Sequence, residues 1–239
     1  MKAAVLSCFP PYRGGISQFN TSLYEELSKS CTVKAYNFKR QYPEFLFPGK
    51  TQYIEDGTGP SFGTEAVLDT ANPLSYIRTA RIISGWKPDL LLMRYWMPYF
   101  APSQGYVARH MPEGCKVISI LDNVIPHERH FWDRPLTRYY LGGNNGFVVL
   151  CNAVRDDLLH IMPDARYTVS PHPVYSNFGD STPQAQARAE LGLAQDKKTL
   201  LFFGLIREYK GLDILLEAFS SLDSSYQLLI GGEAYGSFE

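Results

Sequence analysis

The sequence predicts an α/β protein with a Rossmann-like parallel sheet, helices on both faces, and an incomplete second domain of the same kind. Two observations lead to this prediction. Short apolar runs alternate along the chain with longer segments whose apolar residues recur at helical spacing. Several of these runs end in glycine-rich or polar turns, as buried parallel strands do when a crossover helix follows.

Composition is that of a soluble globular protein. The 239 residues are 45% hydrophobic and 20% charged, enough for one large domain or one domain plus part of another. The net charge of −1 gives no reason to expect a nucleic acid partner. No apolar segment approaches the ~18 residues needed to span a bilayer, which leaves a peripheral membrane contact open.

Cysteine usage indicates a reducing compartment. The four cysteines are widely spaced and form no C-x-x-C pair. Three of them lie in or beside apolar runs, so we interpret them as buried, reduced thiols of a cytosolic protein. The four are Cys8, Cys31, Cys115 and Cys151.

The chain opens with a strand, a loop and a helix. Residues Lys2–Cys8 form an apolar strand, prolines and glycines break it, and a helical stripe follows. The pair Gly14–Gly15 allows close approach of the backbone to a ligand and leaves the helix N-terminus open to an anion. A plain tight turn explains the same pair. The stripe consists of Ile16, Phe19, Leu23 and Leu27.

The next elements continue the alternation. We expect residues 39–72 to be irregular apart from a short strand at Thr51–Ile54. A helix at Pro73–Trp86 stops at Lys87-Pro88-Asp89. The expected strands are Thr32–Phe38, Leu90–Met93 and Lys116–Leu121, with a helix at Met97–Arg109 after Pro98.

A dense polar cluster follows the strand Lys116–Leu121. It runs from Asp122 to His130, at the carboxyl end of a strand, where ligands bind in open α/β sheets. Such a cluster suits acid–base chemistry, while Asp122 and Asn123 could instead cap a turn. We discount a metal site because the cluster has no convincing ligand spacing.

The rest of the chain contains a second polar turn. After Phe131–Tyr140, which we leave unassigned, the pattern predicts strands, a helix capped by Asn152, and a linker. Arg207 and Lys210 follow a later strand and precede a helix, where backbone N–H groups favour a phosphate or diphosphate. An ordinary loop with solvated charges is the alternative. These strands are 147–151, 167–170, 199–203 and 227–230, and the helices are 184–191 and 212–222.

Residues 202–219 resemble a phrase close to "FFG-x-IRPYKGLDxLLEAF" in retaining glycosyltransferases of the GT-B fold, family 4. In that family a basic pair in this loop holds the diphosphate of a nucleotide sugar. Lys210 matches the lysine of the pair, and Arg207 stands in for an arginine that many members place at the position of Leu205. The phrase "PPYRGGI" is similar to the family's first loop, so the resemblance assigns Gly14 and Gly15 to the donor phosphates.

Residues 123–128 resemble the family phrase "HNVxPHE". The resemblance implies catalytic roles for Asp122 and His127 and acceptor-side roles for Asn123 and Glu128. Relatives usually carry a histidine where this chain has Asp122. A carboxylate there would repel donor phosphates if it faced them.

The resemblance also implies a domain division: an acceptor-side domain at 1–176, a linker at 177–196, and the start of the donor domain at 197–239. The family's E-x7-E motif has no counterpart here. We therefore expect a fragment, a truncated reading frame, or half of a split enzyme completed by a second chain.

The implied function is transfer of a sugar from a nucleotide-sugar donor to a glycan or lipid-linked acceptor, with retention and with no metal or other cofactor. It belongs to glycan or polysaccharide biosynthesis in the cytoplasm or at the inner membrane face. A non-catalytic nucleotide- or partner-binding relative is the rival. A Rossmann oxidoreductase is disfavoured because the first loop lacks G-x-G-x-x-G. A nucleotide-sugar 2-epimerase would share the architecture, but its signature loop is not visible.

Overall fold

The computed structural model describes residues 1–43, 51–54, 63–126, 130–175 and 179–234. They divide into two compact units. Unit 1 comprises the described residues up to Pro173, and unit 2 those from Val174 onward.

Unit 1 is built on a seven-stranded sheet in which all paired strands are parallel. The strand order is β3-β2-β1-β4-β5-β6-β7. The strands are β1 (Lys2–Leu6), β2 (Thr32–Arg40), β3 (Glu65–Asp69), β4 (Leu90–Tyr95), β5 (Lys116–Leu121), β6 (Gly146–Val149) and β7 (Tyr167–Val169).

Helices cover both faces of this sheet. They are α1 (Gly15–Ser28), α2 (Pro73–Gly85), α3 (Ala101–Arg109, after a 3₁₀ turn at Pro98–Phe100), α4 (Asp133–Leu141) and α5 (Asn152–Ile161).

The core of unit 1 has two parts because alternate residues of a strand point to opposite faces of the sheet. Leu6 and Met93 pack into the larger part, together with residues of α2 to α5. Val5 and Leu92 lie on the other face with Tyr24 of α1. The observed fold confirms the predicted parallel α/β class.

Unit 2 contains α6 (Gln184–Glu190), β8 (Lys198–Phe203), α7 (Leu212–Ser220) and β9 (Tyr226–Gly231). Strands β8 and β9 pair in parallel. Among the described residues of unit 2, none is buried. Leu201 and Phe203 of β8 are 62% and 81% exposed.

Three predictions of local structure were wrong. Residues 39–72 are not irregular throughout, since they contain β3. Of the expected strand at Thr51–Ile54, the structure retains one antiparallel bridge, between Tyr53 and Tyr12. Asn152 is the first residue of α5 and not its cap, a position that Cys151 occupies.

The cysteines are all free, as predicted, but only Cys8 is buried. Cys151 is exposed and lies two residues after the end of β6, directly before α5. Cys31 and Cys115 are partly buried.

Candidate functional site

The sheet of unit 1 changes direction between β1 and β4. From β1 the chain winds outward through β2 to β3, and from β4 it winds the opposite way through β5 to β7. The loops that leave β1 and β4 therefore separate and open a crevice at the carboxyl ends of the strands. Ligands of open α/β sheets bind at such a point.

The loop after β1 brings the predicted pair Gly14–Gly15 to this edge. Gly14 precedes α1 with a φ of 110°, a conformation that favours glycine, and no side chain caps the helix. A Cβ atom built on Gly14 or Gly15 would meet no atom of the described residues within 4 Å. The N-terminus of α1 thus faces open space, where its first N–H groups can receive an anion.

Two buried asparagines fix the position of this loop. Asn37 of β2 accepts a hydrogen bond from Phe9 N at 3.1 Å and donates to the Phe9 and Pro10 carbonyl oxygens at 3.0 and 3.1 Å. Asn20 of α1 donates to Ser7 Oγ and to the Cys8 carbonyl oxygen, both at 2.8 Å. Because both amides are buried and paired, they hold the loop and α1 against the end of the sheet.

Asp122 lies at the carboxyl end of β5 and forms an ion pair with Arg94 of β4. Arg94 Nε donates to one carboxylate oxygen at 2.6 Å and Arg94 Nη2 to the other at 2.5 Å. The Arg94 side chain is only 2% exposed, whereas 15% of the Asp122 side chain reaches the surface. A bidentate pair of this kind fixes the orientation of the carboxylate.

Arg94 also connects this pair to α1. Its guanidinium lies 4.0 Å from the ring centroid of Phe19. The Phe19 ring also makes an edge-to-face contact with the His172 ring. Arg94 Nη1 is buried and has no hydrogen-bond partner among the described residues. Arg94 was not predicted as a site residue, although a charged residue at the end of the apolar run Leu90–Met93 was a signal for it.

The other predicted residues of this loop are placed only in part. Asn123 is exposed beside Asp122. His127 and Glu128 lie outside the described residues, so their predicted roles stay predictions. Beyond them, His130 donates its backbone N–H to Asp133 at 2.7 Å. Residues of this region and His160 line a cleft of about 160 Å³.

Burial controls the ionisation of the groups behind the crevice. Burial raises the pKa of the Cys8 thiol well above its usual range, and the nearby charge of Arg94 opposes this only in part. Cys8 Sγ lies 3.8 Å from Gln41 Oε1. Burial likewise raises the pKa of the Tyr42 hydroxyl, which accepts a hydrogen bond from Trp96 Nε1. Both groups are therefore neutral at physiological pH and unsuited to act as anionic nucleophiles.

In unit 2, Arg207 and Lys210 lie between β8 and α7, as predicted. Arg207 is partly buried and precedes a 3₁₀ turn at Glu208–Lys210. Gly211 follows with a φ of 65° and is the residue before α7. Arg207 thus precedes this turn and Lys210 ends it, just before a helix N-terminus, an arrangement that favours a phosphate.

Two glycines bring the backbone close together beside Lys210. A Cβ atom on Gly204 would lie 3.2 Å from Lys210 Nζ, so the ammonium group sits against the end of β8. A Cβ atom on Gly232 would lie 1.8 Å from the Gly204 carbonyl oxygen. Only glycine fits at position 232, and this keeps the ends of β8 and β9 together next to the ammonium group.

Within the described parts of the chain, no group of three or more His, Cys, Asp or Glu side chains is arranged to hold a metal ion. None of the described helices is both long and apolar enough to cross a bilayer.

Solved structures similar to this chain are sugar-nucleotide enzymes. UDP-GlcNAc 2-epimerase from Neisseria meningitidis, bound to UDP-GlcNAc, matches with a TM-score of 0.57 and 15% identity, over 98% of this chain and 66% of its own. The E. coli trehalose-phosphate synthase with UDP-2-fluoro glucose matches with a TM-score of 0.56 and 12% identity, over 98% and 65%. An alpha-glucosyltransferase in complex with UDP-glucose and DNA matches with a TM-score of 0.52 and 9% identity, over 98% and 57%.

These likenesses establish the fold, a Rossmann-like architecture matching GT-B proteins. The chain spans about 57–66% of the length of these three structures. A comparison with protein-family models gives no match, and a comparison with curated protein sequences gives none either.

Proposed function

We propose that the chain is a retaining glycosyltransferase of family 4 that uses a nucleotide-sugar donor. The observation that carries the proposal is the placement of Arg207 and Lys210 at the start of α7, in a fold whose solved neighbours hold UDP-sugars. The sequence resemblance of residues 202–219 to family 4 supports the same assignment. The reaction moves a sugar to an acceptor hydroxyl, and the departing group is a nucleoside diphosphate.

Each unit supplies groups for this reaction. In unit 2, Lys210 and Arg207 neutralise the charge that develops on the departing diphosphate. In unit 1, we propose that the N–H groups after Gly14–Gly15 bind phosphate oxygens and that Asp122 takes a catalytic role by accepting a hydrogen bond from an acceptor or sugar hydroxyl. His127, Asn123 and Glu128 complete the acceptor side in this proposal. No metal or other cofactor is required, because these groups carry the compensating charge.

The test is donor binding and turnover by the full chain and by Lys210→Ala. We expect UDP-glucose or UDP-GlcNAc to bind the variant about 10- to 100-fold more weakly, since a hydrogen bond to a charged group contributes about 1.5–3 kcal/mol. The control is Lys198→Ala. Lys198 is an exposed lysine at the start of β8, whereas Lys210 lies beyond the end of that strand. Equal affinity of Lys210→Ala and the wild type would refute the diphosphate role.

A second candidate function is epimerisation of the nucleotide sugar. It is favoured by the likeness to UDP-GlcNAc 2-epimerases, one of them at a TM-score of 0.57. Incubation with UDP-GlcNAc in a chelator-containing buffer separates the two candidates. An epimerase converts the donor to its C2 epimer without an acceptor, whereas a glycosyltransferase transfers the sugar to an added acceptor hydroxyl, or to water without one, and releases UDP.

A basic surface on unit 1 supports a lipid-linked acceptor at the inner membrane face. Helices α2, α3 and α4 pack side by side. Their only acidic residue, Asp133, is buried. Phe131 and Trp132, directly before α4, are 87% and 45% exposed. Interfacial aromatics with arginines beside them suit an anionic lipid surface. The five arginines of these helices, all exposed, are Arg78, Arg81, Arg109, Arg134 and Arg138.

Unit 2 supports the participation of a second polypeptide. A two-stranded sheet is at best marginally stable by itself. Besides Leu201 and Phe203, exposed apolar side chains include Ile214 at 69% and Leu216 at 46%. We infer that another polypeptide covers them. A non-catalytic binding relative would bind nucleotide or partner without turnover, and the assay above distinguishes it.

A further inference from the structure

The ion pair between Arg94 and Asp122 has an unusual position. Arg94 of β4, together with Asp122 directly after β5, lies on the face of the sheet that carries α1, since Arg94 contacts Phe19 of that helix. Phe19 follows Gly15 by four residues, just over one helical turn or about 6 Å along the axis. The pair therefore lies about one turn from the open N-terminus of α1.

A lone carboxylate at this position would oppose the binding of an anion at α1. Two negative charges in a partly buried site repel each other by amounts that affect binding measurably. The two hydrogen bonds of 2.5 and 2.6 Å hold the positively charged guanidinium of Arg94 against the carboxylate of Asp122. The pair is neutral as a whole, so its repulsion toward a phosphate is largely cancelled.

The burial of the two partners differs in a way that defines their roles. Arg94 is enclosed, with 2% of its side chain exposed, and a ligand meets only the 15% of Asp122 that reaches the surface. An ionised carboxylate only accepts hydrogen bonds, and two of its lone pairs are already occupied by Arg94. The exposed part of the Asp122 carboxylate therefore presents hydrogen-bond acceptors in a fixed orientation, which suits a hydroxyl group as the donor.

We propose that Arg94 is a positioning residue that neutralises Asp122 and aims its exposed edge at a hydroxyl group of a sugar substrate. The proposal rests on the proposed function, because it requires a ligand that carries both phosphates and hydroxyls. Arg94 acts through Asp122 and does not itself touch the substrate.

The test compares binding of UDP and of uridine by calorimetry, at pH 8 so that carboxyl groups are ionised. Asp122→Asn keeps the shape of the side chain and leaves the charge of Arg94 uncompensated. We expect it to bind UDP several-fold more tightly than the wild type and uridine equally. Turnover of a UDP-sugar by the same variant should fall at least tenfold, because the aimed acceptor edge is lost.

The converse variant, Arg94→Met, leaves the carboxylate unpaired. We expect its UDP affinity to fall about tenfold at low ionic strength and to recover in 1 M salt, with uridine affinity unchanged. The double variant with Asp122→Asn should restore UDP binding. The matched control is Arg40→Met, since Arg40 also forms a bidentate pair with a carboxylate, that of Asp69, but its side chain is 48% exposed.

Three outcomes would overturn the proposal. If Asp122→Asn weakens UDP and uridine alike, the pair is a packing element of the core. If Arg94→Met leaves the preference for UDP over uridine unchanged, Arg94 does not compensate the charge of Asp122. Where Arg94→Met does not fold, an unchanged preference in Asp122→Asn leads to the same conclusion. If the wild-type chain binds neither UDP nor uridine, the proposed function fails and this proposal with it, a result distinct from the other two.

Discussion

At the scale of single residues, the two successive glycines before α1 have different backbone geometries. Gly14 has a φ of 110°, whereas Gly15 adopts a conformation open to any residue, and both face open space. An alanine at position 14 is strained, at a cost of about 1–3 kcal/mol. An alanine at position 15 is not strained and reduces the entropy of the unfolded chain, a gain of about 0.4–1 kcal/mol.

Substitution of Gly15 therefore distinguishes an effect on the free energy of unfolding from an effect on ligand binding. We expect Gly15→Ala to unfold at a denaturant concentration at or above that of the wild type, yet to bind UDP about tenfold more weakly, because its methyl group occupies the space above the α1 N–H groups. Denaturant titration and calorimetry on one preparation measure both. Gly85→Ala, at an equally open position at the end of α2, should leave UDP binding unchanged. Undiminished binding by Gly15→Ala would show that no ligand approaches this backbone.

The site residues of unit 1 also show which parts of the site local sequence patterns can predict and which they cannot. Gly14, Gly15 and Asp122 could be predicted because each follows an apolar run that reads as a strand. Their partners could not, since Arg94 lies 28 residues from Asp122 and Asn37 lies 28 residues from Phe9. Such pairings depend on which strands become neighbours, and strand order is not visible in local periodicity.

At the scale of elements, α4 shows why some helices escape prediction. Its buried positions are Asp133, Thr137, Tyr140 and Leu141, so half of the buried face is polar and no apolar stripe appears. Strand β3 is hidden for a related reason. It has five residues, and its Glu65 and Asp69 lie at the two ends of a short apolar centre. The strands β1, β4 and β5, which are apolar nearly throughout, agree with prediction within two residues at each end.

The arginine-bearing face of α2 to α4 gives a prediction of its own. We expect the chain to co-sediment with vesicles containing phosphatidylglycerol and not with pure phosphatidylcholine. Removal of Arg134 and Arg138 together should weaken partitioning by about 2 kcal/mol, roughly 30-fold, at about 1 kcal/mol per basic residue near the surface. Arg155→Ala is the control, because Arg155 of α5 is already paired with Asp156 at 2.8 Å.

A nucleic acid is the competing partner for the same face, because its phosphate groups also bind arginines. A short duplex included as competitor distinguishes the two. If the duplex binds and displaces the vesicles, or if neutral and anionic vesicles bind equally, the membrane assignment is wrong.

At the scale of the whole molecule, the two units differ in how much of their structure is protected by burial. Unit 1 encloses large side chains such as Arg94, Tyr95 and Phe100 completely, whereas the described part of unit 2 buries no residue. Helix α7 was predicted from the helical spacing of its apolar residues, but one of them, Leu216, is 46% exposed. Periodicity shows which side chains share a face, and it does not show whether anything covers that face.

Hydrogen exchange of the full chain tests this difference. Local opening requires little free energy where few apolar contacts are broken, so we expect the amides of β8 and β9 to exchange at least tenfold faster than those of β1, β4 and β5. Equal protection of both sheets in the isolated chain would contradict this expectation. A polypeptide that covers Leu201 and Phe203 should slow exchange in β8 and β9 selectively and raise the molecular mass measured by light scattering. Slower exchange with unchanged mass would instead place the cover within this chain and remove the argument for a second polypeptide.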